Sequence, residues 1–469
     1  MTEEIFNNQI DKAKKNRTSP LQDRLNRLLR LKEWIKDHQK EIEKALYSDL
    51  KKPSTEANIT ETSFVVMEIN HALKNLKKWA GPHAVKTPSI MMGTQAYIQA
   101  EPKGVALIIS PWNYPFSLCI GPLVSAIAAG CSVFLKPSEH TPHSSALIRR
   151  LVAEVFLPED VMVYEGGVSV TEDLLTLPFD HIFFTGSTKV GKVIMKAAAK
   201  NLSSVTLELG GKCPVVIDKG YDLKDAARKI IAGKFMNCGQ TCIAPDHVYV
   251  HEANYEEFIS LLIEQLRASY NPKEKGYDQT KDYGRIVNEN HMIRLQDLLN
   301  DAQNKGARLL EGGKYSIDNK FFAPTLIDQI SENMQIMQEE IFGPILPILT
   351  YHQLDEVIED IQNRYKPLSV YVFTKEEYVE ELFRSRTSSG SLVINDCNIQ
   401  FVHNELPFGG VGRSGQGRGH GQAGFMAFSN PKSVLKQRTG KTLPRLLYPP
   451  YGLKTKGLVK TMMKWILRG

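Results

Sequence analysis

The stretch 104–136, GVALIISPWNYPFSLCIGPLVSAIAAGCSVFLK, decides how the rest of the chain is read. From Val105 to Leu135 it runs 31 residues without a charge, longer than the roughly 20 apolar residues that cross a bilayer. Pro111, Pro115 and Pro122 interrupt it, and each removes a backbone donor that lipid cannot replace. A buried strand (GVALIIS), a loop, an apolar helix over 117–129 and a second strand (SVFLK) account for it better than a membrane span.

The alternation continues to residue 209. A helix enters through Thr141-Pro142, where Thr suits a cap and Pro the first turn. Strand VMVYE, a short helix, strand HIFF, a helix over 187–200 and strand SVTLEL follow. Short continuous apolar strands separated by helices predict a parallel sheet covered on both faces, of the doubly wound nucleotide-binding kind. A second α/β series succeeds it: strand CPVVID, a helix at 222–237, strand HVYVH, a helix at 255–270, a loop-rich middle, then strands LSVYVF and SLVIN. Ahead of both series, residues 21–46 predict one long amphipathic helix and residues 61–80 a second helical stretch.

Composition narrows the function. A chain of 469 residues with 42% hydrophobic and 23% charged side chains forms cores rather than disorder. Six scattered cysteines read as reduced thiols of a cytosolic protein, and the start MTEEIFNNQIDKAKK shows no secretory signal. Ten Lys and Arg and no acid lie from Lys432 onward, so removing them from the net +6 leaves the body at about −4. No basic face with interleaved aromatics points to nucleic acid.

Five segments carry chemistry, and the first three each have a plain structural alternative. Glu208 ends a strand at ELGGK, where a carboxylate faces the ligand crevice of a parallel sheet, although an ordinary strand-end acid looks the same. Cys242, in NCGQTCIAP, lies on an irregular segment beyond a helix end at Gly239, which suits either a nucleophile or a buried structural cysteine. Cys238 and Cys242 form a CxxxC pair that could close a reversible disulfide, but no second pair and no HExxH supports a metal site. Asn113, in SPWNYPF, is a neutral donor able to face an oxyanion, or a turn residue between prolines. Lys136-Pro-Ser-Glu139 offers an acid to ribose hydroxyls, and Thr185-Gly186-Ser187 through Gly191 turns a strand into a helix N-terminus suited to phosphate. Gly410-Val-Gly412-Arg-Ser-Gly415 matches GxGxxG, but no strand immediately precedes it and the glycines at 417, 419, 421 and 424 speak against a helix, so it reads as a flexible wall of the cleft.

Together PWNYP, KPSE, FTGS, ELGGK, GQTC, EEIFGP and PFGG, in this order over residues from about 100 to 430, resemble the aldehyde dehydrogenase superfamily. The short N-terminus, GQTCIAPD, FGGVGRSG and LLYPPY resemble its class 3 branch, which includes fatty aldehyde and bacterial apocarotenoid aldehyde dehydrogenases. The resemblance implies an α/β fold with a dinucleotide-binding part (1–81 and 103–210), a catalytic part (211–392), a bridging oligomerisation arm (82–102 and 393–436) and a basic tail (437–469). It implies Cys242 as nucleophile, Asn113 with the Cys242 N–H at the oxyanion, and Glu208 as the base that cleaves a thioester. Lys136 and Glu139 would meet the ribose, Gly186, Ser187 and Gly191 the phosphates, and Glu340 and Phe342 the nicotinamide side. Glu139 would repel a 2′-phosphate and so favours NAD+, while the class 3 likeness admits NADP+. A lipophilic aldehyde, with Tyr114, Met236 and Ile243 at its pocket, and a homodimer are the implied substrate and assembly. The rivals are a cysteine esterase or acyltransferase, which leaves the 104–209 sheet without a purpose, and a non-catalytic membrane-associated scaffold, which leaves Asn113, Glu208 and Cys242 without one.

In the tail, Lys456, Lys460, Lys464 and Arg468 recur every four residues against Leu458, Val459, Met462, Met463, Trp465 and Ile466. This predicts a basic amphipathic helix, at home on the inner membrane surface or docked on protein through residues 453–469.

Overall fold

The computed structural model describes residues 2–440 and 442–467. The 104–209 alternation forms one sheet, in the order Gly415–Gln416, Ser204–Leu209, His181–Gly186, Val105–Ile109, Ser132–Lys136, Val161–Val163. All neighbours are parallel except the first pair. The chain winds outward in both directions from Val105–Ile109, and the reversal of order between it and His181–Gly186 leaves a crevice at their carboxyl ends. Every side chain of Val105–Ile109 and Ser132–Lys136 is buried, as covering both faces requires.

A second sheet runs Arg308–Glu311, Thr325–Asp328, Ile345–Tyr351, His247–His251, Pro214–Ile217, Ser369–Phe373, Ser391–Ile394, parallel after its first strand. A three-stranded antiparallel sheet joins His83–Ala84, Gln95–Pro102 and Ser429–Lys436, with Ser429 opposite Pro102 and Lys436 opposite Gln95. Among the described residues, no helix is long and apolar enough to cross a membrane.

Several local expectations need correction. The single helix over 21–46 is two, Leu21–Asp37 and Gln39–Leu50, parted at His38 (φ −112°). The middle read as loop-rich contains the helix Glu289–Asn304, whose Met292, Leu295, Leu298, Leu299 and Ala302 form a narrow buried stripe within a polar sequence. Thr141 does not cap its helix; the Asp49 carboxylate instead accepts the N–H groups of His143 (3.1 Å) and Ser144 (2.8 Å). The GxGxxG segment is no loose wall, because Gly415 and Gln416 pair with Glu208 and Leu207 as an edge strand. A short helix, Gly421–Ala427, opens where the glycines spoke against one, since Gly424 packs onto Ser125 where a β-carbon would collide.

One buried ion pair fixes the loop that carries Asn113. Lys52 and Glu61 meet at 2.5 Å with neither side chain exposed. Glu61 Oε2 accepts from the N–H groups of Phe116 (3.1 Å) and Ser117 (2.8 Å) at the start of the Ser117–Ala129 helix, and Lys52 Nζ donates to the Asn113 carbonyl (3.1 Å). Replacing Lys52 by Met strands a carboxylate away from water, so Lys52→Met is expected to lose about 3–5 kcal/mol. Urea unfolding measures this, and a midpoint equal to the parent's would show that the pair is dispensable.

Candidate active site

The helix Leu223–Phe235 stops at a single turn, Met236–Gly239, in which Asn237 (φ 52°), Cys238 (φ 55°) and Gly239 (φ 71°) are all left-handed. Two of the three are not glycine, so the conformation is held from outside. The Asn237 N–H donates to Glu56 (2.9 Å) and its amide to the Asn113 carbonyl (2.8 Å). The Gln240 amide donates to the carbonyls of Asn237 and Arg285 (both 3.0 Å), and its Oε1 accepts from the Val287 N–H (3.0 Å). Beyond this clamp comes Cys242, mostly covered but still reaching solvent where the other five cysteines are buried. Burial pushes its thiol upward, the Glu340 and Glu208 carboxylates add to that, and the N–H groups of Cys242 and Ile243 oppose it. Cys238 lines neither cavity that Cys242 lines; its sulfur packs against Gly284 and Tyr283.

Cys242 opens into a cleft of about 720 Å³ at the carboxyl ends of the first sheet. Asn113, Lys136, Glu139, Gly186, Ser187, Glu208, Glu340 and Phe342 all line it. Lys136 and Glu139 form an ion pair at 2.8 Å; burial raises the Glu139 carboxyl, but the Lys136 hydrogen bond and charge outweigh it and leave it lowered. Gly186 turns against the Phe184 ring, where a β-carbon would lie 2.5 Å from it, and Ser187 caps the helix Thr188–Ala199 by accepting the Val190 N–H (3.3 Å). Gly191, one turn along that helix, does not line the cleft but gives Leu209 room to pack. Glu340 lies on Gly210, its Oε1 buried without a partner, and burial lifts it to about 8. Phe342 (φ 44°) meets Trp112 edge-on at 5.3 Å. A helix N-terminus, a ribose-range carboxylate and a lysine, with an unpartnered acid at the far end beside a thiol, fit a bound dinucleotide.

Asn113 is buried, and its Nδ2 donates one hydrogen to the Gln240 carbonyl (2.9 Å), leaving the second for a ligand. Glu208 is buried with no partner for either carboxyl oxygen; burial raises it well above its ordinary value, and Arg418 opposes the rise.

Cys242 and Glu208 also border a narrow apolar recess walled by Phe64, Leu118, Phe183, Phe401 and Phe408. The residues expected at an apolar pocket do not line it. Tyr114 is turned to Thr241 (2.7 Å) and lies under the Lys52 ammonium (4.1 Å), Ile243 belongs to the core of the second sheet, and Met236 lines neither cavity. The actual lining comes from residues 64–68, 117–125 and 401–420 and from the sheet itself, which no single local motif joins. A larger surface cavity, about 1230 Å³ between Lys51 and the 315–322 hairpin, gathers none of the candidate residues.

The aldehyde dehydrogenase family profile matches residues 2–434. A 4,4'-diaponeurosporen-aldehyde dehydrogenase of Staphylococcus aureus is 44% identical over 439 residues, covering 94% of each chain. A mouse aldehyde dehydrogenase described as dimeric and NADP-preferring is 40% identical, covering 95% of this chain and 97% of its own. The solved substrate-bound state of Staphylococcus aureus AldH superimposes with a TM-score of 0.93 at 42% identity, covering 98% of this chain and 99% of that one. The chain belongs to the aldehyde dehydrogenase family and is an NAD(P)-dependent enzyme that oxidises aldehydes.

Proposed function

We propose that the enzyme oxidises a lipophilic aldehyde, of medium or long chain, aromatic or apocarotenoid, to its carboxylic acid, with Cys242 as nucleophile. The observation that carries this reading is the position of Cys242, the one partly exposed cysteine, between the dinucleotide cleft and the apolar recess. The phenylalanine-walled recess holds only about 30 Å³ and must widen to take a tail; an aldehyde whose carbonyl end sits at its mouth presents its carbonyl carbon to the sulfur. The free hydrogen of the Asn113 amide and the Cys242 N–H receive the oxyanion of the hemithioacetal. NAD(P)+ in the cleft supplies the acceptor for the hydride. Glu208 then takes a proton from water as the water oxygen bonds to the thioester carbon and the C–S bond breaks.

The proposed division of labour follows the sheets. Residues 1–81 and 103–210 serve the dinucleotide, with Lys136 and Glu139 at the ribose and Gly186 and Ser187 at the phosphates. Residues 211–392 carry the thiol, and 82–102 with 393–436 join two copies. The outer edge of Ser429–Lys436 and the edge strand Ser391–Ile394 both support a dimer, since each has an unpaired side among the described residues, and a similar mouse enzyme is described as dimeric. The protein works in a reducing cytosol, where its six free thiols persist. The tail helix Leu453–Ile466 exposes Leu453, Leu458, Val459, Met463 and Ile466, with Lys454, Lys456, Lys460 and Lys464 among them, which supports contact with an anionic lipid surface. Arg468, the last residue of the basic series, lies outside the described residues.

With NAD+ and a series of aldehydes, NADH formation is expected to rise with chain length; activity confined to short polar aldehydes would remove the lipophilic assignment. Cys242→Ala is expected to abolish turnover, and Asn113→Ala to lower kcat by about 10²–10³-fold. Glu208→Gln should keep the initial burst of NADH while the steady rate collapses; an undiminished steady rate would take Glu208 out of the mechanism. In sedimentation with anionic vesicles, deletion of residues 453–469 should release the protein; equal binding without them would end the membrane assignment and favour docking of the helix on protein.

A further inference from the structure

The glycine-rich segment after Phe408 carries a charge that the mechanism above does not use. Its antiparallel pairing, Gly415 with Glu208 and Gln416 with Leu207, draws residue 417 alongside Thr206, where a β-carbon on Gly417 would lie 3.0 Å from Thr206 Oγ1. The next residue, Arg418, folds back over Gly409. A β-carbon built on Gly409 would lie 2.9 Å from both Arg418 Cδ and Glu208 Oε1, so the arginine stem and the carboxylate converge on one point that only a glycine leaves open. Arg418 Nη1 donates to the carbonyls of Gly410 (2.6 Å) and Gly417 (2.7 Å), which fixes the guanidinium; its Nε and Nη2 have no protein partner among the described residues.

The other ionisable groups near Glu208 are not cations. Cys242 faces it from the nucleophile segment, with Glu340 beyond. Across the recess, Glu68 is committed to the Gly421 N–H (3.0 Å) and the Asn404 amide (2.5 Å). His420 is pushed down to about 3 by burial and is neutral. Arg418 is the positive charge that acts on Glu208.

We propose that Arg418 is a positioning residue for the general base, a fixed positive charge whose stem shares the Gly409 wall with Glu208 and which makes the carboxyl easier to ionise when water is to be deprotonated. The step it supports involves no redox change. Glu208 accepts one proton from water, the water oxygen bonds to the acyl carbon, the C–S bond breaks and Cys242 departs as thiolate. The proposal rests on Glu208 being the base that cleaves the thioester. It predicts that removing the charge makes Glu208 harder to ionise, so that deacylation needs a higher pH.

The test uses p-nitrophenyl acetate without cofactor. Acylation of Cys242 releases a burst of nitrophenolate, and the steady phase that follows reports deacylation. In Arg418→Gln the burst amplitude should match the parent's, while the pH midpoint of the steady phase moves up by about one unit, an approximately tenfold loss of rate on the acid side. Arg418→Lys, which keeps the charge, should keep the midpoint close to the parent's. An unmoved midpoint in Arg418→Gln overturns the proposal, as does an equal displacement in Arg418→Lys. Should Arg418→Gln fail to fold, the lysine variant alone decides, because a midpoint displaced by a unit with the charge retained is incompatible with the proposal. Failure of the underlying reading looks different: a burst that survives in Cys242→Ala, or a steady phase undiminished in Glu208→Gln.

Discussion

Lys52 and Glu61, sealed from water, tie the first 80 residues to the loop that carries Asn113. Taking two charges out of water costs several kcal/mol each, by order of magnitude, unless every donor and acceptor is satisfied. Here they are used fully. Glu61 receives two N–H groups at the start of the Ser117–Ala129 helix, whose dipole favours an anion there, and Lys52 reaches the Asn113 carbonyl while lying 4.1 Å above the Tyr114 ring. That same carbonyl accepts the Asn237 amide, so the loop bearing Asn113 and the turn bearing Cys242 are tied through one oxygen. Glu56 completes the frame from below the turn, where burial raises it to about 7 and the Asn237 N–H holds it. The geometry at the thiol is thus held in part from the first 80 residues, far from it in sequence, and in part by the Arg285 and Val287 backbone that clamps Gln240.

The electrostatics of the site follow from that frame. Cys242, Glu208 and Glu340 share a buried region in which each carboxylate makes the thiolate harder to form, and the thiol is raised rather than activated by its protein neighbours. A helix end just upstream of Cys242 adds no help, because its carbonyls point the wrong way for an anion. Around this region the buried Asp246 carboxylate takes Lys212 and the Ile341 N–H (3.0 Å), which anchors the segment leading into Glu340 and Phe342. The Glu340 and Phe342 end of the cleft is therefore as firmly placed as the thiol itself.

Much of this architecture is legible in the sequence because it is written in local patterns. Continuous apolar strands such as GVALIIS and SVFLK mark a parallel sheet, and glycines at Gly186 and Gly210 mark places where a side chain would strike Phe184 or Glu340. What the pattern misses is set by contacts over long separations. His38 breaks a helix whose periodicity runs on, Asp49 caps a helix that Thr141 was expected to cap, and Gly424 permits a helix by meeting Ser125. The apolar recess is the clearest case. Residues in or beside the motifs, Tyr114, Met236 and Ile243, turn into the core or away, while Phe64 and Phe401 arrive from elsewhere. Lys52 and Glu61 carry no signal at all, since a lysine in the short link before Pro53 and a glutamate in the polar stretch Asn58–Thr62 read as surface until their partners are known.

The central claim is that oxidation passes through an acyl group on Cys242 that Glu208 must release. Rapid quenching of Glu208→Gln after mixing with NAD+ and a long-chain aldehyde, followed by peptide mass spectrometry, tests it directly. The account predicts a peptide containing Cys242 heavier by the acyl group, labile to hydroxylamine as a thioester is, and absent without cofactor. NADH produced while Cys242 remains unmodified, or an acyl group on any other residue, would contradict it.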